Sequence, residues 1–367
     1  GNSLNSFFMT RGTITALPNS INKLLHDNGN LFVGGYFSYY GGILANGYAK
    51  LDSNGTPVAK TVFNATAVSS TYGASIVQLH DGSGDFYHLT TEGSGFYYLY
   101  KMEADGDLAG LFTQGLVLNT TGTVIAVDDD DNLYVGGDFT TVSGTGVPTG
   151  FSRIDPTGAV DLAFNAGLGT GFDTTVRAIE VYEDTVYLGG SFTTLNGAAM
   201  PGGLQYFYAA NRLTGAIAAE ISAVGSGPDA TVYAIKATAN GVFLGGDFAN
   251  YNGNPAAYLV KASSTDASHI PAFDSASIFG DAAIRGIDIG LNGDLLISGS
   301  FTNYGGSPTK YGAVVNATTS AVDPNFRLNP AGATFKWGYG FIPKSDGYVF
   351  YGLFNTASGS VRRGFGR

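Results

Sequence analysis

Apolar and polar residues alternate in short stretches along the chain, and turns rich in Gly, Asn and Asp separate these stretches. One clear example is 176–181, which an acidic turn connects to a second alternating stretch at 185–192. Alternation over about four to eight residues is typical of half-buried β-strands. No segment has a convincing helical period. The pattern therefore predicts an all-β protein.

A motif of the form apolar-apolar-Gly-Gly-x-Phe recurs about every 53 residues. Its Phe falls at Phe37, Phe139, Phe192, Phe248, Phe301 and Phe354. The interval between the first two is nearly twice the others, and the segment Phe86 to Glu92 takes the place of 133–139 there. The chain thus contains seven copies, the second of them degenerate.

Each copy divides into four strand-like stretches, which predicts a seven-bladed β-propeller with four antiparallel strands per blade. We expect residues 1–367 to form this single domain, with the degenerate blade at about 76–112. The last copy stops in its third strand, at 364–367, and residues 1–8 resemble the fourth strand of another copy, at 158–164. The N-terminal strand is therefore expected to complete the C-terminal blade and close the ring.

The best copy spans 134–165 and contains Gly-Gly-Asp-Phe-Thr, then Gly-x-x-Arg-Ile-Asp-x-x-Gly and Asp-x-x-Phe-Asn. This series of motifs resembles the delta-60 repeat β-propeller family, and the resemblance covers nearly the whole chain except the second copy. It implies a secreted bacterial or phage-encoded protein in which this propeller is one module among several. It implies no common catalytic chemistry.

Composition narrows the classes of function. A net charge of −11 and a pI near 4.6 argue against binding nucleic-acid backbones or anionic lipid. No apolar run approaches the length of a membrane span. The chain contains no Cys, which excludes disulfides, thiolate metal sites and Cys nucleophiles. It begins Gly-Asn-Ser without a signal-peptide pattern, so we expect a piece of a longer protein.

The repeated motif itself is interpreted as a packing device. One Phe per copy suits packing between blades, and paired glycines allow strands to approach closely near the axis. A Gly five positions after the Phe recurs in six copies and is expected to adopt positive φ in a turn. These copies place it at Gly42, Gly144, Gly197, Gly253, Gly306 and Gly359.

The densest acidic run is Asp128, Asp129, Asp130 and Asp131, whose oxygens could hold Ca²⁺. Its spacing does not fit an EF-hand, and other copies carry similar polar turns at the same place. We therefore expect an ordinary hairpin turn, with Ca²⁺ as the less favoured alternative. No cofactor is expected.

Candidate binding residues come from positions that differ between copies. At the start of the innermost strand the copies carry Asn22, Val77, Ile125, Arg177, Tyr233, Arg285 and Gly338. The loops that feed these strands add Asp173, Asp281, Lys336 and Trp337. Arginines, aromatic rings and acids meeting at a channel mouth could bind a glycan or a carboxylate. Alternatively, Arg177 and Arg285 pair with Asp173 and Asp281 and only fix the loops.

The leading hypothesis is a non-enzymatic binding or adhesion module of a larger secreted, cell-surface or virion protein. Its channel-mouth loops would recognise a surface glycan or a protein partner. The first alternative is a purely structural disc in a phage tail or surface assembly. The second is a carbohydrate-active enzyme whose paired acids are assembled in space. Neither nucleic acid nor membrane insertion is expected.

Overall fold

The computed structural model describes 20–27, 30–36, 39–40, 43–44, 47–52, 58, 71–92, 95–104, 115–218, 225–273, 280–326, 337–344, 347–353, 356–357, 360–361 and 365–366. Within these residues the chain forms seven antiparallel sheets of three or more strands, numbered here sheet 1 to sheet 7 in chain order. The expected all-β class is confirmed.

Each sheet has an inner, a middle and an outer strand, which follow one another in the chain. The inner strands are Ser20–Asp27, Thr71–Gln78, Gly122–Val127, Val176–Tyr182, Val232–Thr238, Ile284–Ile289 and Trp337–Lys344. The middle strands are Asn30–Tyr36, Phe86–Glu92, Leu133–Gly137, Thr185–Gly190, Gly241–Gly246, Leu295–Gly299 and Gly347–Leu353. The outer strands are Tyr48–Leu51, Tyr97–Met102, Phe151–Ile154, Phe207–Asn211, Leu259–Ala262, Gly312–Val315 and Phe365–Gly366.

Short hairpins follow the middle strands of five sheets. They pair Tyr39–Tyr40 with Ile43–Leu44, Thr141–Val142 with Thr145–Gly146, Thr194–Leu195 with Ala198–Ala199, Asn250–Tyr251 with Asn254–Pro255, and Thr356–Ala357 with Ser360–Val361. Gly144, Gly197, Gly253 and Gly306 have φ between +70° and +82°, as expected of the Gly after the motif Phe. Gly42 and Gly359 lie outside the described residues.

The described residues contain two short helices, Leu162–Ala166 and the 3₁₀ turn Pro201–Gly203, and no helix long and apolar enough to cross a membrane. The first lies where a fourth strand was expected. Asp161 caps it by accepting a hydrogen bond from the amide of Phe164, and Phe164 is fully buried. A favourable cap and a buried aromatic anchor thus outweigh strand pairing at this position.

The expectation of four strands per sheet is only partly correct among the described residues. Sheet 2 has a fourth strand, Leu116–Leu118, which also pairs with the hairpin of sheet 3. In four other sheets the fourth stretch forms a single bridge to the outer strand. These bridges join Ile154 to Val160, Ala210 to Ile217, Ala262 to His269, and Val315 to Val322.

The degenerate second copy is in the predicted register. Gln78 pairs with Phe86 in sheet 2 as Val127 pairs with Leu133 in sheet 3. Phe365 pairs with Tyr351, which makes the C-terminal strand the third of its sheet. Residues 1–8, expected to follow it in space, lie outside the described residues.

The sheets surround a common channel. Each inner strand packs against the next inner strand in the chain, and the inner strand of sheet 7 packs against that of sheet 1. Apolar clusters fill the spaces between neighbouring sheets. One joins Leu24 and Leu31 of sheet 1 to Phe341 and Phe350 of sheet 7. Sheets packed face to face around an axis are the arrangement of a β-propeller.

Candidate functional site

The inner strands enclose a concave channel. It encloses about 1000 Å³, and the inner strands of all seven sheets contribute to its lining. Ligand sites are typically concave and combine an apolar wall with a few placed polar groups. The channel is concave and its lining is more polar than apolar, so it is the candidate functional site for a polar ligand.

Every inner strand has a β-bulge near its start. The pairing register slips by one residue there in each sheet, for example between Val176 and Ala178 opposite the paired glycines of the middle strand. A bulge adds an unpaired residue and redirects its side chain. The bulged residues are Asn22, Ala74, Thr123, Arg177, Tyr233, Arg285 and Tyr339.

This register corrects three positions of the sequence comparison. Val77, Ile125 and Gly338 are not equivalent to Arg177, and Ala74, Thr123 and Tyr339 stand in their places. Counting apolar residues cannot locate a bulge, because the inserted residue shifts the alternation without changing the composition. Arg177, Tyr233 and Arg285 are equivalent, as predicted.

Arg285 lies between two aromatic rings at the mouth of the channel. Its guanidinium carbon is 4.3 Å from the ring centroid of Tyr233 and 5.0 Å from that of Trp337. Both distances are within the range of cation–π attraction. Tyr233 and Trp337 come from the sheets on either side of Arg285, so the structure brings together three of the predicted site residues.

The variable residue of the Gly-Gly-x-Phe motif also faces this mouth. Ser191 accepts a hydrogen bond of 3.1 Å from Nε of Arg177, and Asp247 accepts one of 2.6 Å from the hydroxyl of Tyr233. Burial and the bond to Asp247 raise the pKa of Tyr233, while the positive charges of Arg285 and Arg177 oppose this rise. Arg285 stacks on Tyr233, and Arg177 occupies the equivalent bulge position in the preceding sheet.

Asp173 and Asp281 fix loops at the same end of the channel. Asp173 accepts hydrogen bonds from the backbone amides of Thr193 and Thr194 and from the Thr193 hydroxyl. Asp281 is bonded in the same way to 302–303. Neither aspartate forms an ion pair with Arg177 or Arg285 within the described part of the chain. The loops are therefore fixed by hydrogen bonds from threonines and backbone amides to the aspartates, and not by the arginines.

These hydrogen bonds change the acidity of both carboxyls. Partial burial alone would raise their pKa values. The hydrogen bonds outweigh it, so the pKa values of Asp173 and Asp281 lie below the usual value. Both groups are carboxylates at neutral pH. Lys336, the remaining predicted residue, lies outside the described residues.

A second set of charged residues lines the channel, and three of its four members lie three residues beyond the bulged residue of their strand, about 10 Å along it. It comprises Lys23, Glu180, Lys236 and Asp288. Nζ of Lys236 is 2.9 Å from Oε1 of Glu180, joining sheets 4 and 5. Burial raises the pKa of Glu180, and Lys236 opposes the rise. Tyr351, Asp288 and Glu180 raise the pKa of Lys23.

The sequence comparison missed this second charged set. Lys23 follows a bulge, where the other sheets have Ser75, Val124, Ala178, Ala234, Gly286 and Gly340. A charge among small residues at one repeat position was the available signal. It required the bulge register, which the sequence does not reveal.

The acidic run 128–131 forms a hydrogen-bonded turn. Asp128 accepts from the amides of Asp130 and Asn132 and from the hydroxyl of Tyr134. Nη1 of Arg212 lies 2.8 Å from Oδ2 of Asp130 and 3.4 Å from Oδ2 of Asp128. The described residues contain no group of three or more His, Cys, Asp or Glu arranged to hold a metal ion. The turn interpretation accounts for the contacts of Asp128.

Comparison with known proteins supports the fold. A family model described as "Domain of unknown function (DUF5122) beta-propeller" matches residues 26–57. No protein with a curated description matches the chain. Together with the sheets around the channel, the family match supports the expected β-propeller.

The solved structures that match the chain share little sequence with it. A computationally designed protein, Ika8, is 12% identical with a TM-score of 0.47, covering 93% of this chain and 98% of its own. The WD40 β-propeller domain of Doa1 is 12% identical with a TM-score of 0.38, covering 80% of this chain and 92% of its own.

Proposed function

We propose that the chain is a seven-bladed propeller of the delta-60 repeat type, closed by residues 1–8 as the last strand of the final blade. The count is supported by seven motif copies and by seven sheets among the described residues. Closure is supported by the packing of the inner strand of sheet 7 against that of sheet 1. The third-strand position of Phe365 leaves a fourth place for the N-terminal segment.

On this scaffold we propose a non-enzymatic binding module that recognises a surface glycan or a protein partner at the channel mouth. The observation that carries the proposal is the set of seven bulged residues. The scaffold around them repeats, yet they differ from sheet to sheet and include Arg177, Tyr233 and Arg285. A repeated framework that carries a different residue at one channel position in most of its sheets is the organisation expected of a recognition surface.

The contacts of the acidic residues favour binding over catalysis. Glu180 is held by Lys236 at 2.9 Å, and Asp173 and Asp281 are held by loop amides. Carboxylates committed to such contacts are poorly placed to exchange protons with a substrate. A carbohydrate-active enzyme therefore ranks below a binding module.

We further propose an extracellular location, on a bacterial cell surface or a virion, with protein assembly partners or a surface glycan as ligand. The support is the motif series at 134–165 and its resemblance to secreted and phage-encoded propellers. A purely structural disc remains the alternative if the mouth binds nothing.

The proposal is tested with the intact chain on a glycan array and on a panel of surface proteins. The test variant carries Arg177→Ala, Tyr233→Ala, Arg285→Ala and Trp337→Ala together. The control carries Leu213→Ala and Leu291→Ala, two exposed apolar residues that do not line the channel. Thermal unfolding checks that both variants fold.

We expect the wild type and the control to bind the same ligand, and the mouth variant to lose at least tenfold in affinity. Full affinity in a folded mouth variant would overturn the channel-mouth proposal. Absence of any binding by the wild type would favour the structural disc.

A further inference from the structure

Arg285 is held between two aromatic rings at the channel mouth. Tyr233 and Trp337 cover its two flat faces. Its Nε is buried and has no hydrogen-bond partner in the described part of the chain. Because Nε is enclosed, the donors that remain for a ligand in the channel are the two terminal amino groups of the guanidinium.

The geometry points to a planar anion as that ligand. Stacking on both faces leaves only the edge of the guanidinium for contact, and that edge presents parallel N–H donors that match a carboxylate. Because the rings already hold the side chain, little rotamer freedom is lost on binding. Arg285 is thus preorganised for a carboxylate.

Arg177 adds a second positive charge at the mouth. Its Nε is bonded to Ser191, and its side chain is exposed. The positive charges of both arginines oppose the rise in the pKa of Tyr233, which lies in the sheet between theirs. Two arginines clustered at one opening stand out in a chain with 18 basic and 29 acidic residues. The carboxylates at this end, Asp173, Asp247 and Asp281, accept hydrogen bonds from loop groups or Tyr233, and neither arginine forms an ion pair with Asp173 or Asp281 in the described part of the chain.

The channel below the mouth favours a sugar as the carrier of the carboxylate. Its volume of about 1000 Å³ suits a small polar molecule or a chain end and is too small for a folded partner. Polar side chains line it, among them Asn22, Ser75, Thr121 and Thr123. These groups can exchange hydrogen bonds with sugar hydroxyls.

We propose that the channel mouth binds the carboxylate of an acidic sugar, with Arg285 as the principal contact and Arg177 as the second. This inference rests on the proposed binding function and specifies its ligand class.

The chain offers a built-in reporter, because Trp337 is its single tryptophan and stacks on Arg285. Galacturonate is titrated into the full chain while Trp337 fluorescence is recorded. Galactose, which has a hydroxymethyl group in place of the carboxylate, is the matched neutral probe. Calorimetry provides a second readout for variants in which the environment of Trp337 changes.

We expect saturable binding of galacturonate and at least tenfold weaker binding of galactose. Arg285→Gln should abolish the preference for the acid. Arg285→Lys keeps the charge but loses the parallel N–H donors of the guanidinium. It should weaken the binding of galacturonate by about tenfold. Lys310→Gln removes one exposed positive charge that does not line the channel, and it should leave binding unchanged.

Equal binding of the two sugars, or an unchanged preference in folded Arg285→Gln, would overturn the inference. An acetylated, amidated Glu-Glu dipeptide serves as a third probe. If it binds more tightly than galacturonate, the sugar assignment is wrong and the anion belongs to a protein.

The array experiment separates this inference from the proposed function. If the mouth variant loses its array ligand while galacturonate does not bind, the binding function stands and the acidic sugar is wrong. If the wild type binds neither an array ligand nor galacturonate, both proposals fail.

Discussion

The two glycines of the repeated motif are required for different reasons. A Cβ on the first, Gly189, would lie 2.5 Å from Cγ1 of Val232 in the next sheet. A Cβ on the second, Gly190, would lie 2.2 Å from the carbonyl oxygen of Thr175 in its own sheet. The first contact involves a side chain that can shift, whereas the second involves fixed backbone.

Replacing Gly190 with Ala should therefore destabilise the protein by about 3 kcal/mol, because the backbone of two paired strands must separate. Gly197 is the matched control. It has a φ of +70° and open space around its Cα, so Gly197→Ala should cost only the left-handed conformation, about 1 kcal/mol. Urea unfolding measures both, and equal losses would contradict the packing role.

Individual roles were predictable where the repeat defines them. The packing role of the glycines and the positive φ of Gly197 followed from the spacing of the motif. The stacking of Arg285 between Tyr233 and Trp337 did not, because these residues are about one repeat apart in the chain and meet only after the sheets pack. Their presence at one channel mouth was predicted, but not their contact.

At the scale of elements, one side chain before each of four inner strands holds the loop that follows the middle strand. Asn119, Asp173, Asp229 and Asp281 all accept two successive backbone amides, those of Ala249 and Asn250 in the case of Asp229. These paired hydrogen bonds fix the loop between sheets relative to the motif Phe.

Asp229→Ala should cost about 1 kcal/mol, the usual loss when a side chain that caps backbone amides is removed. Asp229→Asn should cost less, since Asn119 performs the same task in sheet 3. Hydrogen bonds, opposed by burial, hold the pKa of Asp229 below its usual value.

The sign of the pH dependence follows from that lowered pKa. The charged form contributes stability above the unfolded pKa of about 4, and this is lost as pH falls through the folded pKa. Thermal unfolding from pH 7 to pH 2 should show the wild type approaching Asp229→Asn in stability. A constant difference between the two at all pH values would contradict this linkage.

Elements were less predictable than the repeat that contains them. Alternation located the inner and middle strands well, including those of the degenerate copy. It could not locate the bulges, which insert a residue without a compositional mark. It also assigned a strand at 158–164, where the cap at Asp161 and the buried Phe164 produce a helical turn.

At the scale of the molecule, the two ends of the described chain share one apolar cluster. Leu24 belongs to sheet 1 and Phe341 to sheet 7, and both are buried in this cluster. Leu188 lies in a different cluster. If the ring is closed between these two sheets, a substitution at Leu24 should change the effect of a substitution at Phe341 on the free energy of unfolding.

We therefore expect Leu24→Ala and Phe341→Leu to be non-additive by about 1 kcal/mol in a double-mutant cycle. The control cycle of Leu24→Ala with Leu188→Ala should be additive within about 0.5 kcal/mol. Denaturant unfolding provides the four free energies of each cycle. Additivity in both cycles would indicate that the seam is open.

The all-β class and the β-propeller type of arrangement were predictable from the motif. The charged interior was not, because Lys23, Glu180, Lys236 and Asp288 occupy positions that read as ordinary strand residues. Their common environment exists only once the inner strands surround a channel.

The bulge in every inner strand has a consequence for how this protein can change. A residue outside the pairing ladder can be replaced without altering the register of its neighbours or the packing between sheets. Duplication of the repeat copies the framework, and the bulge then lets each copy acquire its own side chain. The bulge positions at the opening can therefore be substituted while the sheets stay intact. New specificities can evolve there, or be selected from a library, at little cost to folding.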